Sequence, residues 1–185
     1  MKKILILIIF MFLLIACTPD AFSDNFSEFK NKKHVFKVIT YEEVIKAFDS
    51  TAIVVFGFFP SKYDCPYCRY AFPIINEIAL GLNYKRNSIL FYDVYDIRFN
   101  NSIEYKDLID LIAPKMNEDN GGYLCTTNDN YIIRVPDLFV IKQGVILYHF
   151  LATVLNENGN PVALNPTIEY ENKLREVYAF MLGLL

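Results

Sequence analysis

The apolar run Thr51–Phe59 is followed, after a short polar stretch, by Cys65-Pro66-Tyr67-Cys68. Behind that motif Ala71, Ile74, Ile75, Ile78 and Leu82 recur at helical spacing. A continuous apolar run that gives way to a 3.6-residue period reads as a strand turning into a helix. The run is long and apolar enough for a strand buried on both faces, which requires helices on either side of a sheet. The two cysteines fall at the strand-to-helix junction. Pro66 suits the first helical position, where a missing N–H costs nothing. A helix N-terminus carries unpaired N–H groups and a partial positive charge. That setting favours thiolate over thiol and makes Cys65 nucleophilic near neutral pH. Two thiols so placed can open and close a small disulfide ring, so the motif predicts a dithiol–disulfide redox site. Half a zinc site is the competing reading, but zinc wants about four ligands. The other cysteines, Cys17 and Cys125, form no second pair, and His34 and His149 show no motif spacing. A purely structural disulfide is the remaining alternative.

The N-terminus indicates where the chain works. Lys2 and Lys3 precede Ile4–Ala16, which is apolar throughout. As a helix this segment spans about 20 Å, short of the roughly 30 Å hydrocarbon core, so a signal peptide is favoured over a transmembrane anchor. Its end, Leu14-Ile15-Ala16-Cys17, resembles the lipobox of bacterial lipoproteins, which implies that Cys17 is acylated and becomes the mature N-terminus. The expected division is therefore a signal peptide over 1–16, a lipidated N-terminus and tether over 17–33, and one domain over 34–185. Thr18–Lys33 is polar, with Pro19 and scattered serines and asparagines; as a loose coil it would hold the domain about 20–25 Å from the membrane. Phe22, Phe26 and Phe29 argue the other way. Their spacing also suits a short amphipathic helix lying on the domain or on lipid.

Loss of Lys2 and Lys3 with the signal segment takes the net charge from −3 to −5. With no Lys/Arg cluster in the remaining chain, nucleic acid is not an expected partner. No internal repeat, phosphate-binding glycine loop or Ser/His/Asp arrangement stands out.

Along the chain, His34–Ile39 is a short strand candidate, and Thr40–Glu43 is a capping box opening a helix with Val44, Ile45 and Phe48 on one face. Ser88–Ile97 is a second apolar strand candidate. Ser102 can cap a third helix. Asn117–Gly122 is turn material, and Tyr123–Thr127 with Tyr131–Val135 can form a hairpin. Asp137–Ile141 and Val145–Phe150 are strands joined by Lys142-Gln-Gly144. Pro166 and Thr167 open a last helix. The order is β-α-β-α-β-α-β-β-α.

In this order, with the CxxC at the second strand-to-helix junction, residues 35–185 resemble the thioredoxin superfamily. Pro73 matches that family's kinking proline in the active-site helix. Val135-Pro136, opening a hairpin strand, matches its cis-proline and the residue before it. The resemblance implies an α/β thioredoxin-like fold with a mixed central sheet flanked by helices. There are departures. Asp64 stands where the family usually has tryptophan, Pro60–Asp64 is longer than the usual approach, and Val54–Phe59 lacks the family's buried aspartate. Gly57, a proline soon after it, and CPYC look most like the bacteriocin transport accessory protein branch.

The expected activity is then thiol–disulfide exchange. Cys65 is the exposed attacking thiolate and Cys68 the more buried resolving thiol. Pro66, Tyr67, Val135 and Pro136 contact the client, and the Val135 backbone pairs with it as an extra strand. No cofactor or metal is expected beyond the Cys65–Cys68 disulfide. Expected partners are exported cysteine-containing proteins or peptides, a membrane electron donor or acceptor, and the membrane through the lipid anchor. The alternative is a thioredoxin-like accessory lipoprotein that holds an exported peptide with little turnover. Copper handling would need a histidine near the thiols; His149, on an apolar strand, reads better as a hydrogen-bonded structural residue. Cys125 reads as a small residue packed within the hairpin.

Overall fold

A computed structural model describes residues 20–127 and 130–185. The expected signal segment and Cys17 lie outside them. The chain forms a mixed α/β layer structure around one five-stranded sheet. Its strands are β1 (Phe36–Val38), β2 (Ala52–Gly57), β3 (Ile89–Asp93), β6 (Asp137–Lys142) and β7 (Val145–Leu151), in the order β1-β3-β2-β6-β7. The first three are mutually parallel, and β6 and β7 join antiparallel. A separate two-stranded pair joins β4 (Cys125–Thr127) to β5 (Asn130–Ile132), within the stretch where the sequence predicts a hairpin of Tyr123–Thr127 with Tyr131–Val135.

Side-chain alternation assigns the two faces. On one, Phe72 of helix α3 (Pro66–Gly81) meets Phe36 and Phe91, and Tyr178 of helix α6 (Ile168–Leu182) meets Phe150. On the other, Phe48 of helix α2 (Tyr41–Phe48) meets Phe56 and Phe139, and α2 also touches helix α5 (Ile103–Ile112). With helices on both faces, β2 is buried from Ile53 to Gly57, as its continuous apolar pattern requires. The helix starts follow local chemistry. The Thr40 hydroxyl accepts from the Glu43 N–H while Glu43 reaches back to the Thr40 N–H, and the hydroxyls of Ser102 and Thr167 accept from Tyr105 and Tyr170. Gly57 ends β2 where a Cβ would lie 2.6 Å from the Phe72 ring and 2.7 Å from the Phe91 ring. Only glycine lets α3 settle that close to the strand.

Two expectations need correction. The first is the tether. From Asp20 the chain is packed and not a loose coil, which leaves the other reading of Phe22, Phe26 and Phe29, a short amphipathic helix lying on the domain. Helix α1 (Ala21–Asn25) is capped by the Asp20 carboxylate, and Phe22, Phe26 and Phe29 are all buried. The Phe22 ring stacks on Phe36 at 4.3 Å and meets Phe91 edge-on. Asp20 also pairs with buried His34 at 2.6 Å and with Arg86 at 2.9 Å. Three phenyl rings in eight residues carry too much apolar area to remain in water when the space between β1, β3 and α3 can take them.

The second correction is the strand read over Ser88–Ile97. It stops at Asp93, whose carboxylate accepts the Tyr95 N–H at 3.0 Å. The chain then turns into helix α4 (Tyr95–Phe99). A short polar side chain that bonds the backbone two residues on competes with the sheet ladder in this way.

Candidate functional site

Cys65 is the N-cap of α3, with an extended backbone, and Pro66 is the first helical residue. The Cys65 Sγ accepts the Cys68 N–H at 3.2 Å, and the two sulfurs are joined in a disulfide. The chain approaching the motif is held from below: Lys62 pairs with Asp93 at 2.9 Å and also with Asp96. This ties the long Pro60–Asp64 stretch to the start of α4.

Cys65 opens onto a cleft of about 360 Å³. Pro66, Tyr67 and Val135 line it with Cys65, whereas Cys68 is wholly buried behind them. Phe58, Tyr63 and Phe99 supply aromatic walls, and Arg98 and Arg134 reach the same space. The far wall is Pro161–Leu164, part of the segment linking β7 to α6. That wall is pinned where the Tyr67 hydroxyl donates to the Val162 carbonyl at 3.2 Å and Arg134 donates to the Gly159 carbonyl at 2.8 Å. The Val135–Pro136 peptide is cis. The segment after β7 holds it: the Ala152 N–H donates to the Pro136 carbonyl, and the Thr153 hydroxyl donates to that of Val135.

Of the residues singled out from the sequence, Cys65, Pro66, Tyr67 and Val135 thus meet at one cleft. Pro136 is buried beside it without lining it. The expectation of an exposed Cys65 is corrected: in the disulfide form Cys65 is only 5 % exposed, because the cleft walls stand close around it. Arg98, Phe99, Thr153 and the Pro161–Leu164 wall carried no sequence signal. Arg98 and Phe99 lay just beyond a stretch read as strand, and the others belong to segments whose position depends on how β7 leaves the sheet.

A second polar group lies under the hairpin segment. Asp137, 2 % exposed, follows Pro136 directly and bonds the Nδ1 of buried His149 at 3.0 Å. His149 is therefore a hydrogen-bonded strand residue, as its surroundings predict. Burial opposes a charge on His149, but the Asp137 carboxylate and the Gly121 and Gly122 carbonyls overcome it and raise the imidazole pKa. Burial raises the Asp137 carboxyl against the pull of His149. A buried aspartate is thus present, on β6 opposite Phe56 of β2 rather than within β2 itself.

Cys125 is a free, half-buried thiol on a cavity of about 220 Å³ that Asp137 and His149 also line. The buried residue here is its neighbour Leu124, just ahead of β4. Burial and the Asp137 charge push the Cys125 thiol up, which keeps it protonated and a poor nucleophile. Cys125→Ala is expected to leave disulfide exchange near wild type and to change stability by no more than about 1–2 kcal/mol. A large loss of turnover in a folded variant, or a mapped Cys65–Cys125 bridge, would place Cys125 in the exchange pathway instead.

Among the described residues no cluster of His, Cys, Asp and Glu could hold a metal ion, and no helix is long and apolar enough to cross a membrane. No protein-family model matches the chain, and no curated protein is significantly similar to it.

Proposed function

We propose that this chain is a thioredoxin-like thiol–disulfide oxidoreductase, tethered to the outer face of the cell membrane and acting on exported cysteine-containing proteins or peptides. The observation that carries the reading is the Cys65–Cys68 disulfide at the N-terminus of α3, with one sulfur on an open cleft and the other sealed behind it. The placement of Val135 and Pro136 beside that cleft, just ahead of β6, supports the superfamily assignment.

In the oxidising direction a client thiolate attacks the Cys65 Sγ. The new S–S bond joins client and Cys65, the Cys65–Cys68 bond breaks, and its electron pair leaves on Cys68. A second client thiolate then attacks the client sulfur of that mixed disulfide and expels Cys65 as thiolate. The client is left oxidised, and the protein dithiol takes up the two electrons and, from solvent, the protons. In the reducing direction the Cys65 thiolate opens a client disulfide and Cys68 resolves the mixed disulfide. The helix N-terminus and the Cys68 N–H stabilise the Cys65 thiolate in either case. Sustained turnover requires a membrane partner that supplies or removes electrons.

The close burial of Cys65 favours a second reading, a module that holds an exported peptide with little turnover. Reduction of insulin disulfides by the purified protein with excess dithiol separates the two. Catalytic turnover supports the oxidoreductase, and only stoichiometric reaction supports the holder.

The tether enters the same proposal. If Cys17 is acylated, the three residues to Asp20 extend at most about 10 Å. The packed domain then sits against the membrane surface rather than at the end of a long leash. Cys17→Ala is expected to release the protein from membranes or leave it misprocessed. Membrane retention with Met1 intact would instead identify the first segment as an uncleaved anchor.

A further inference from the structure

Among the described residues Arg98 has no counter-ion. It projects from α4 to the cleft beside Cys65, half-buried, with its guanidinium 5.6 Å from the Phe58 ring centroid and 5.4 Å from that of Phe99. It donates a hydrogen bond to the Ile133 carbonyl at 3.1 Å. No carboxylate among the described residues pairs with it, and neither Asp nor Glu lines the cleft. Burial and the nearby Arg134 both work against its charge. A half-buried guanidinium lying against two neighbouring rings, beside a second arginine, is costly to keep unless an anion completes it. The acidic balance of the whole chain makes this positive site a local exception. A second groove, about 800 Å³, shares Arg98 and Phe99 with the cleft and runs on past Tyr105 to Tyr131. Arg98 therefore stands where a chain entering the cleft from that groove would pass.

We infer that the site selects client segments with an aspartate or glutamate next to the reacting cysteine, its carboxylate seated against Arg98 while Phe58 and Phe99 hold the guanidinium in place. This deepens the proposed exchange activity and rests on it. Arg98 is a specificity residue, since it touches the client and not the reacting sulfurs. Planar Arg–carboxylate pairing sets the discrimination.

The test uses the full chain, purified in detergent with its disulfide formed, and three dithiol peptides alike except for Glu, Gln or Lys beside the first cysteine. Each reaction turns peptide dithiol and protein disulfide into peptide disulfide and protein dithiol, transferring two electrons and two protons. Each rate is divided by that peptide's rate with the uncharged disulfide of 2-mercaptoethanol, which removes differences in thiol reactivity. The Glu peptide is expected to react at least about tenfold faster than the Gln peptide, with the Lys peptide slowest. The Glu-to-Gln ratio should shrink in 1 M salt, where screening acts over about 3 Å. In Arg98→Gln it should fall to about two or less, and Arg98→Lys should lie between. The wild-type comparison and its salt dependence need no variant, so a poorly folding substitution does not block the test. Equal rates for the Glu and Gln peptides overturn the inference and leave the exchange activity standing. A preference that survives Arg98→Gln also overturns it. Failure to exchange with any of the three peptides in either direction, as dithiols or as their disulfides, overturns both.

Discussion

If the chain is the oxidoreductase proposed above, Cys65→Ser is expected to abolish disulfide exchange and Cys68→Ser to accumulate mixed disulfides with client chains. The asymmetry comes from placement. Cys65 lines the cleft, whereas Cys68 is wholly buried on the inner side of α3. An outside thiolate can reach one sulfur only. Cys65 also caps the helix, where its Sγ accepts the Cys68 N–H, so the negative charge of a freed thiolate is best held there. Serine at 65 removes both the nucleophile and the sulfur that clients attack, and turnover falls to the uncatalysed rate. Serine at 68 leaves Cys65 able to bond a client but removes the intramolecular thiol that would release it. Non-reducing electrophoresis and mass spectrometry of the trapped species, from the protein's own cell, would read the result and identify client and electron partner together. Preferential trapping by Cys65→Ser would reverse the two roles. A Cys65 thiol that titrates at or above the free-cysteine value of about 8.5 would remove the basis for its nucleophilicity.

Phe22→Ala is expected to cost about 3–5 kcal/mol of folding stability, the range for truncating a buried phenylalanine. The Phe22 ring is fully buried, stacked on Phe36 at 4.3 Å, edge-on to Phe91 at 5.1 Å and in contact with Phe26 at 4.7 Å. Its removal opens a void among rings that cannot close without moving β1 or α3. A domain of this size has a total stability of about 5–15 kcal/mol, so the variant loses a large share of it. Urea unfolding at matched slope measures the change. Ile168→Ala, at a side chain 83 % exposed, serves as a control and should stay within about 0.5 kcal/mol of wild type. A Phe22→Ala variant within about 1 kcal/mol of wild type would return residues 20–33 to the role of a tether.

How far the sequence can be read is plain in these elements. The capping box at Thr40, Pro66 at the first turn of α3 and the turn at Lys142–Gly144 are settled by residues within one turn of each other. The five-residue helix α4 escaped because a single turn carries no period to detect, and the apolar residues of Ser88–Ile97 run straight through the Asp93 turn. The cysteine pair at a helix start was legible for the same local reason. The cleft that gives it a substrate side was not.

By itself, then, the sequence determined which segments are strands and helices buried against a sheet, and that two thiols meet at a strand-to-helix junction. Those properties rest on hydrophobic period, capping and turn chemistry, all short-range. Tertiary structure alone decided the sheet order β1-β3-β2-β6-β7, the burial of Phe22 between strand and helix, the pairing of Asp137 with His149, and the arrival of Arg98 and Val162 at the cleft that holds Cys65. Each of these joins residues far apart in the chain. Such contacts form only when whole faces of the sheet and helices pack together, and which faces meet depends on the apolar area buried by the fold as a whole, not on any local run of residues.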